Sequence, residues 1–197
     1  MPGSASSVIG HITALALLYC WALFGVAFLF VVKLRRSEKK LRDPRAMAGL
    51  AVQAAGMGLM IWAQRDPATS AIPFGIELGI SISTLSLMIG SMILILSAVH
   101  VLGKQWAVNA QISETHRLIT HGPYAIVRNP IYTGFLGMGI ATGLGLSNFY
   151  IIPPAIVLYL IGTFIRVRFE EELLRVTFHE DFESYRRDVP AVFPRVF

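Results

Sequence analysis

The chain has little charge and almost no cysteine. Charged residues make up 15% of its 197 residues, whereas hydrophobic residues make up 54%. Soluble globular domains carry about 25% charged residues, so the composition excludes an ordinary soluble domain and indicates an integral membrane protein. The single cysteine, Cys20, cannot form an intramolecular disulfide, which excludes a secreted scaffold held together by disulfides.

Several common signals are also missing. No lysine or arginine precedes Lys33, and the N-terminal apolar run is too long for a cleaved signal peptide, so we expect a permanent membrane span there. The sequence lacks a Gly-x-Gly-x-x-Gly turn, a phosphate-binding lysine loop and a His/Cys set with metal-ligand spacing. Soluble nucleotide-binding folds and a metal site are therefore not expected. The basic residues that give the net charge of +5 lie beside apolar runs, which favours membrane lipids over nucleic acid as partners.

Long apolar runs predict the fold. About 20 apolar residues cross a hydrocarbon core of about 30 Å. Runs of about that size predict five transmembrane helices at residues 8–32, 46–63, 76–102, 131–147 and 149–165. Little more than Asn148 separates the last two runs, which predicts a helical hairpin of helices four and five. No alternation is long enough for a sheet, so we predict an all-α, polytopic membrane protein.

We expect one membrane-embedded domain over residues 1–197. Its predicted parts are three transmembrane helices in residues 1–102, a cytoplasmic connector in 103–130, the hairpin in 131–165, and a C-terminal helix and tail in 166–197. The C-terminal helix is predicted to be amphipathic, because Phe169, Leu173 and Val176 recur at helical spacing and Pro190 ends the pattern. A helix that merely lies among lipid headgroups is the alternative interpretation.

The charges of the loops predict the orientation. Lysine and arginine are concentrated between residues 33 and 45, whereas Arg65 and Asp66 are the only charged residues in the loop between the second and third runs. The positive-inside rule therefore places the N-terminus outside, and the connector and the C-terminus in the cytoplasm. Small residues of the second run are expected to let helices approach closely in lipid. They are Gly49, Ala51, Ala54, Ala55, Gly56 and Gly58.

Ionisable residues beside membrane-length runs are energetically costly and suggest chemistry. They form a two-part motif. The first part contains His116, Leu118, Thr120, Gly122, Pro123, Tyr124, Arg128, Pro130, Tyr132 and Gly134. The second part contains Arg166 and Glu171, followed by Leu174, Phe178, Tyr185 and Pro190. From residue 106 to residue 194, this pattern resembles the isoprenylcysteine carboxyl methyltransferase family and is similar to the related phospholipid amine methyltransferases.

The resemblance implies a methyltransferase that uses S-adenosylmethionine and releases S-adenosylhomocysteine. It implies a cofactor pocket between the connector, the start of helix four and the tail helix, with a lipophilic acceptor that enters from the bilayer. The implied cofactor-binding residues are Gln111, His116, Arg117, Leu118, Ile119, Tyr124, Asn129, Pro130, Ile131, Tyr132 and Glu171. Arg166 and Glu171 are the implied catalytic residues, and Arg166 would bind the acceptor. Eukaryotic members have histidine where this chain has Asn129, which can hydrogen-bond but cannot titrate near neutral pH.

The chemistry of these residues agrees with such roles. Methyl transfer from a sulfonium is an in-line displacement that needs alignment and dehydration more than a strong acid. The guanidinium fork of Arg166 suits a carboxylate, which is already nucleophilic and needs no general base. We therefore expect O-methylation of a lipophilic small molecule or a prenylcysteine-like carboxylate at the cytoplasmic membrane face.

Other interpretations remain open at this point. A lipid amine N-methyltransferase would need Glu171 or a histidine to remove a proton. A sterol-type NADPH reductase and a non-enzymatic membrane scaffold are further alternatives. One interpretation of Arg128 is that it only anchors the start of helix four at the headgroups, so we do not count it among the predicted site residues. The four-residue spacing of Arg166 and Glu170 also fits a plain interfacial ion pair.

Overall fold

The computed structural model describes residues 3–34, 44–62, 72–103 and 118–194. Within these ranges the chain forms five α-helices: α1 (Gly3–Leu34), α2 (Pro44–Trp62), α3 (Phe74–Leu102), α4 (Pro130–Leu146) and α5 (Ile152–Asp188). Two short 3-10 turns, Gly122–Ala125 and Phe149–Ile151, precede α4 and α5. Each predicted apolar run coincides with one helix, so the all-α prediction is confirmed for the described residues. The predicted site residues Gln111, His116 and Arg117 lie outside them.

Three of the described helices are long and apolar enough to cross a membrane. They are Ala5–Phe30, Phe74–Leu102 and Phe149–Asp188, whereas Met47–Trp62 and Pro130–Leu146 are shorter apolar helices. On α1, Leu15, Tyr19 and Val26 are 66%, 70% and 68% exposed. An apolar surface of this kind is typical of a helix that faces lipid. The chain is thus an integral membrane protein, while the count of five complete spans stays a prediction.

α5 continues far beyond the predicted fifth span. Residues 166–188 contain no proline or glycine and are rich in arginine and glutamate, which favour a helix. The prolines at the start of α5 are tolerated because the first helical N–H groups have no intrahelical partner. At His179 the backbone leaves helical geometry (φ 45°, ψ −121°) and α5 kinks. The fifth span and the tail are therefore one kinked helix, and the hairpin and the amphipathic tail stay predictions.

Glycines bring α2 and α5 close together, and α5 packs more extensively on α2 than on α4. A Cβ atom on Gly162 would lie 2.5 Å from the backbone nitrogen of Gln53, and one on Gly56 would lie 2.7 Å from a backbone nitrogen of α5. Both distances are too short for a real side chain, so glycine permits this approach. The predicted role of the small residues is confirmed for Gly49 and Gly56, whereas a Cβ on Gly58 would meet nothing within 4 Å.

The main core lies between α1, α3 and α4. Phe24 packs edge-on against Phe135 with ring centroids 5.7 Å apart. Trp21 donates from Nε1 to Thr142 Oγ1 at 3.0 Å. The buried members of this cluster are Leu17, Phe24, Met88, Ile95, Val99, Met138 and Ala141. Because this core fixes α4, it also fixes the first turn of α4, where Tyr132 lies.

Candidate active site

Tyr132, Arg166 and Glu170 meet where the first turn of α4 faces α5, and we call them the Arg166 cluster. Glu170 Oε1 accepts a hydrogen bond from the Tyr132 hydroxyl at 2.6 Å and another from Arg166 Nη2 at 3.2 Å. The guanidinium carbon of Arg166 lies 5.1 Å from the centre of the Tyr132 ring, which is a cation–π distance. Arg166 is only 5% exposed. The cluster therefore holds a buried cation between a carboxylate and an aromatic face.

Local sequence explains this arrangement. Arg166 and Glu170 are four residues apart, so they share one face of α5. Gly49 leaves room for the arginine, because a Cβ atom there would lie 2.6 Å from Arg166 Cγ. The Tyr159 hydroxyl donates to the Tyr132 carbonyl at 3.1 Å, which braces the first turn of α4 against α5. A buried charge needs partners of this kind to be tolerated.

Arg128, Glu171 and Arg186 form a second group, the Arg128 cluster. Arg128 Nε and Nη2 both lie 2.9 Å from Glu171 Oε1. Arg186 Nε lies 3.5 Å from Glu171 Oε2. Glu170 and Glu171 serve different clusters because neighbouring residues point about 100° apart around a helix axis.

The Arg128 guanidinium also binds the end of α5. Its Nη1 donates to the Arg186 carbonyl at 3.0 Å and to the Val189 carbonyl. The side chains of Arg128 and Glu171 are 10% and 13% exposed. Arg128 therefore does more than anchor helix four, because its guanidinium binds protein groups. Packing of the α5 end over the start of α4 turns this arginine inward, onto Glu171.

Residues 189–192, which we call the strap, follow α5 and cover the start of α4. The hydrogen bonds, with donors first, are Arg128 N to Pro190 O (2.8 Å), Asn129 N to Ala191 O (3.0 Å), Asn129 Nδ2 to Ala191 O (3.0 Å) and Thr133 Oγ1 to Val192 O (2.8 Å). Backbone N–H groups at a helix start lack intrahelical acceptors. The strap supplies carbonyl acceptors there, so it fixes the segment that carries Arg128.

Tyr124 lies in the 3-10 turn before α4, and its side chain is buried. The Tyr185 hydroxyl donates to the Tyr124 carbonyl at 2.7 Å, which joins this turn to the tail of α5. Burial raises the pKa of the Tyr124 phenol above its ordinary value, and the charges of Tyr185 and Glu170 raise it further. The phenol therefore stays neutral at physiological pH.

A cleft of about 560 Å³ opens beside the tail of α5. Its lining residues are Leu118, Thr120, Ala125, Asp181, Ser184, Tyr185, Asp188 and Val189. Among the described residues, Leu118 is the member of the predicted cofactor set that lines this cleft. The Arg166 cluster and the Arg128 cluster do not line it.

Within the described ranges, the structure brings only some of the predicted site residues together. Tyr132 and Arg166 are in contact, whereas Glu171 pairs with Arg128. Of the remaining predicted residues, Pro130 is buried, and Ile119, Asn129 and Ile131 are half-buried. Their roles as contacts of a cofactor or an acceptor stay predictions.

Three residues of these clusters, Arg128, Glu170 and Arg186, were not predicted as site residues. Arg128 lies inside the first part of the motif, four residues before Tyr132, and this position could have identified it from the sequence. Glu170 was predicted as a possible ion-pair partner of Arg166, and that ion pair is confirmed. Arg166 is buried and lies against Tyr132, which the four-residue spacing could not indicate.

Known proteins are similar to this chain over the region that contains the Arg166 cluster, Arg128 and Glu171. Residues 84–176 match the sequence model of the isoprenylcysteine carboxyl methyltransferase (ICMT) family. The resemblance of the motif to this family is confirmed. The matched stretch contains most of α3, all of α4 and the part of α5 that carries Arg166, Glu170 and Glu171, and it ends before the strap.

Curated relatives match over a similar stretch. The chain is 34% identical over 88 residues to the probable protein-S-isoprenylcysteine O-methyltransferase of Oryza sativa subsp. indica, covering 44% of this chain and 46% of the relative. It is 32% identical over 91 residues to the protein-S-isoprenylcysteine O-methyltransferase of Schizosaccharomyces pombe, covering 45% and 38%. It is 35% identical over 91 residues to that of Mus musculus, covering 44% and 31%. The chain therefore spans less than half of the length of these relatives.

Proposed function

We propose that this chain is an integral membrane methyltransferase that transfers a methyl group from S-adenosylmethionine to the carboxylate of a lipophilic acceptor, such as an S-prenylated cysteine. The observation that carries the proposal is the guanidinium of Arg166, whose side chain is 6% exposed at the end of the apolar part of α5. Ionisable groups at such a position commonly mark a functional site. The names of the relatives, which describe protein-S-isoprenylcysteine O-methyltransferases, support the acceptor class.

Arg166 is suited to hold the acceptor carboxylate. Its planar fork matches a carboxylate geometrically, and the ring of Tyr132 at 5.1 Å keeps the guanidinium plane in place. Glu170 holds Arg166 through Nη2, so it restricts the rotation of the guanidinium while the acceptor binds. Such a fixed cation aims one acceptor oxygen, which is the alignment that a displacement reaction needs.

When bound, S-adenosylmethionine supplies a methyl group on a sulfonium: its C–S bond breaks as the acceptor oxygen forms the C–O bond, so a cation and an anion are neutralised together. No proton is released, and the chain needs no general base for a carboxylate acceptor. The ring of Tyr132 shields Arg166 from water, because the guanidinium lies against it. Exclusion of water strengthens the attraction between Arg166 and an acceptor carboxylate.

The residues present fit the chemistry of this cofactor. S-adenosylmethionine carries a sulfonium, an ammonium and a carboxylate, so it needs anionic and cationic partners. Glu170 and Glu171 supply carboxylates that are 22% and 13% exposed, and Arg128 supplies a guanidinium. We predict that Leu118, Ile119, Tyr124, Pro130, Ile131 and Tyr132 complete the wall of the cofactor pocket, with Gln111, His116 and Arg117 from the connector. The distribution of basic residues along the sequence supports a site at the cytoplasmic face.

A direct assay tests the proposal. Purified protein in lipid nanodiscs is incubated with methyl-labelled S-adenosylmethionine and N-acetyl-S-farnesylcysteine, and we expect a labelled, base-labile methyl ester. Arg166→Lys keeps the charge but loses the fork, so we expect kcat/KM to fall about 100-fold. Arg168→Lys is the matched control, because Arg168 is exposed on the same helix, and its activity should stay within about twofold of wild type.

The same assay separates the alternatives. Label in phosphatidylethanolamine without any base-labile ester would contradict a carboxylate acceptor and favour N-methylation of a lipid amine. Binding of NADPH without binding of S-adenosylhomocysteine, measured by calorimetry, would contradict the methyltransferase itself. Equal activities of Arg166→Lys and Arg168→Lys would show that Arg166 does not bind the acceptor.

A further inference from the structure

Asn129 occupies the N-cap position of α4 but does not cap the helix with its side chain. Its Nδ2 instead donates to the carbonyl of Ala191 at 3.0 Å, and its backbone N–H donates to the same oxygen at 3.0 Å. Two donors of one residue therefore converge on one carbonyl of the strap. This contact joins positions 62 residues apart in the chain.

The strap in turn holds Arg128. The carbonyl of Pro190 accepts from the Arg128 N–H at 2.8 Å, and the carbonyl of Val189 accepts from the guanidinium. Arg128 then binds Glu171 at 2.9 Å. The hydrogen bonds thus form a closed path from α5 through the strap and the start of α4 back to α5. Loosening the strap removes acceptors from Arg128 and leaves its guanidinium free to turn away from Glu171.

We propose that Asn129 is a positioning residue: it holds the strap on α4 and thereby fixes Arg128 against Glu171, without itself touching the cofactor. This inference rests on the proposed function, in which Arg128 and Glu171 bind the cofactor. It replaces the expectation that Asn129 is a direct cofactor contact. The matched stretch of the family ends at residue 176, so the partner of Asn129 lies outside it.

The required property of residue 129 is a side-chain N–H two bonds beyond Cβ. Leucine has a similar size without a donor, and histidine carries Nδ1 at the corresponding position and can donate from it. Asn129→Leu should therefore loosen the strap, and Asn129→His should restore it. Thr133→Val removes the separate hydrogen bond to the Val192 carbonyl and gives a second, independent perturbation of the strap. Thr177→Val is its matched control, because Thr177 donates only within α5, to the Leu173 carbonyl.

The experiment measures three quantities in the full chain in nanodiscs: amide hydrogen exchange at Arg128 and Asn129, the dissociation constant of S-adenosylhomocysteine, and the midpoint of global unfolding. For Asn129→Leu we expect exchange about tenfold faster and cofactor binding about fivefold weaker, the effect of about one hydrogen bond, with little change in the global midpoint. Thr133→Val should act in the same direction. Asn129→His and Thr177→Val should stay within about twofold of wild type.

The outcomes are distinguishable. Unchanged exchange in Asn129→Leu, or no rescue by histidine, overturns the inference. Faster exchange with unchanged cofactor binding also overturns it, because the strap would then be only structural. If the wild-type protein binds no S-adenosylhomocysteine, the proposed function fails, and exchange measured without cofactor decides the positioning role. In that case we compare the effect of Asn129→Leu on amide exchange in wild type and in a Glu171→Gln background. If the path of hydrogen bonds exists, the acceleration of exchange should shrink from about tenfold to less than about threefold in the Glu171→Gln background. If the path does not exist, the acceleration should be the same in both backgrounds.

Discussion

Replacement of Gly49 by alanine is expected to separate α2 from α5 and to disturb Arg166. The added Cβ atom would lie 2.6 Å from Arg166 Cγ and 2.8 Å from the Gly162 carbonyl oxygen, whereas ordinary contacts begin at 3.4 Å. The neighbours must therefore move by roughly 0.6 to 0.8 Å, in line with the shifts forced by overpacking. Arg166 cannot swing away freely, because Glu170 and the ring of Tyr132 hold its guanidinium.

The magnitude follows from comparison with Gly58, which is exposed on the same helix and has nothing within 4 Å of an added Cβ. Both substitutions gain about 1 kcal/mol of helix propensity. Gly49→Ala additionally pays an overpacking term of about 1 to 3 kcal/mol. Since the propensity term cancels in the difference, Gly49→Ala should be about 2 kcal/mol less stable than Gly58→Ala.

Unfolding by sodium dodecyl sulfate in mixed micelles, followed by circular dichroism, measures this difference. The methyl-transfer assay should also report a loss of activity in Gly49→Ala of about 10-fold or more, because a misplacement approaching 1 Å is costly for a reacting group. Gly58→Ala should keep full activity. Equal stabilities of the two variants would refute the close approach of α2 and α5 at Gly49.

Two further predictions concern the backbone kink and the buried tyrosine. His179→Gly should raise the free energy of unfolding by about 1 kcal/mol, because glycine adopts a positive φ without strain. Glu180→Gly, at the next position in helical geometry, should lower the free energy of unfolding by about the same amount. Denaturant titration of both variants measures these changes, and equal effects would contradict the kink. The raised pKa of Tyr124 means that the folded protein keeps a proton that the unfolded chain loses above about pH 10, so the free energy of unfolding should fall as the pH rises beyond that value. Tyr124→Phe should lose less stability than wild type between about pH 10 and 12. Identical alkaline profiles of the variant and wild type would show that this phenol is not buried.

Much of the fold could be predicted because its signals are local. Apolar runs predicted the bounds of α1 to α4 and the start of α5 within a few residues, since the length of an apolar run reports directly on the need to bury backbone groups in lipid. The continuation of α5 through residues 166–188 was harder to predict. Polarity changes at residue 166, but the backbone needs only the absence of proline and glycine to continue as a helix.

The sequence by itself determined that the chain is a membrane protein whose motif resembles the isoprenylcysteine carboxyl methyltransferase family, and it indicated Arg166, Tyr132 and Glu171 as candidate site residues. Only the tertiary structure decided which carboxylate meets which arginine. Glu170 binds Arg166 and Tyr132, while Glu171 binds Arg128, because the angle between neighbouring residues on α5 directs them to different parts of α4. These contacts join residues 38 and 43 positions apart, and the contact of Asn129 with the strap spans 62 positions. Such separations depend on how helices pack, which composition and short-range spacing do not encode.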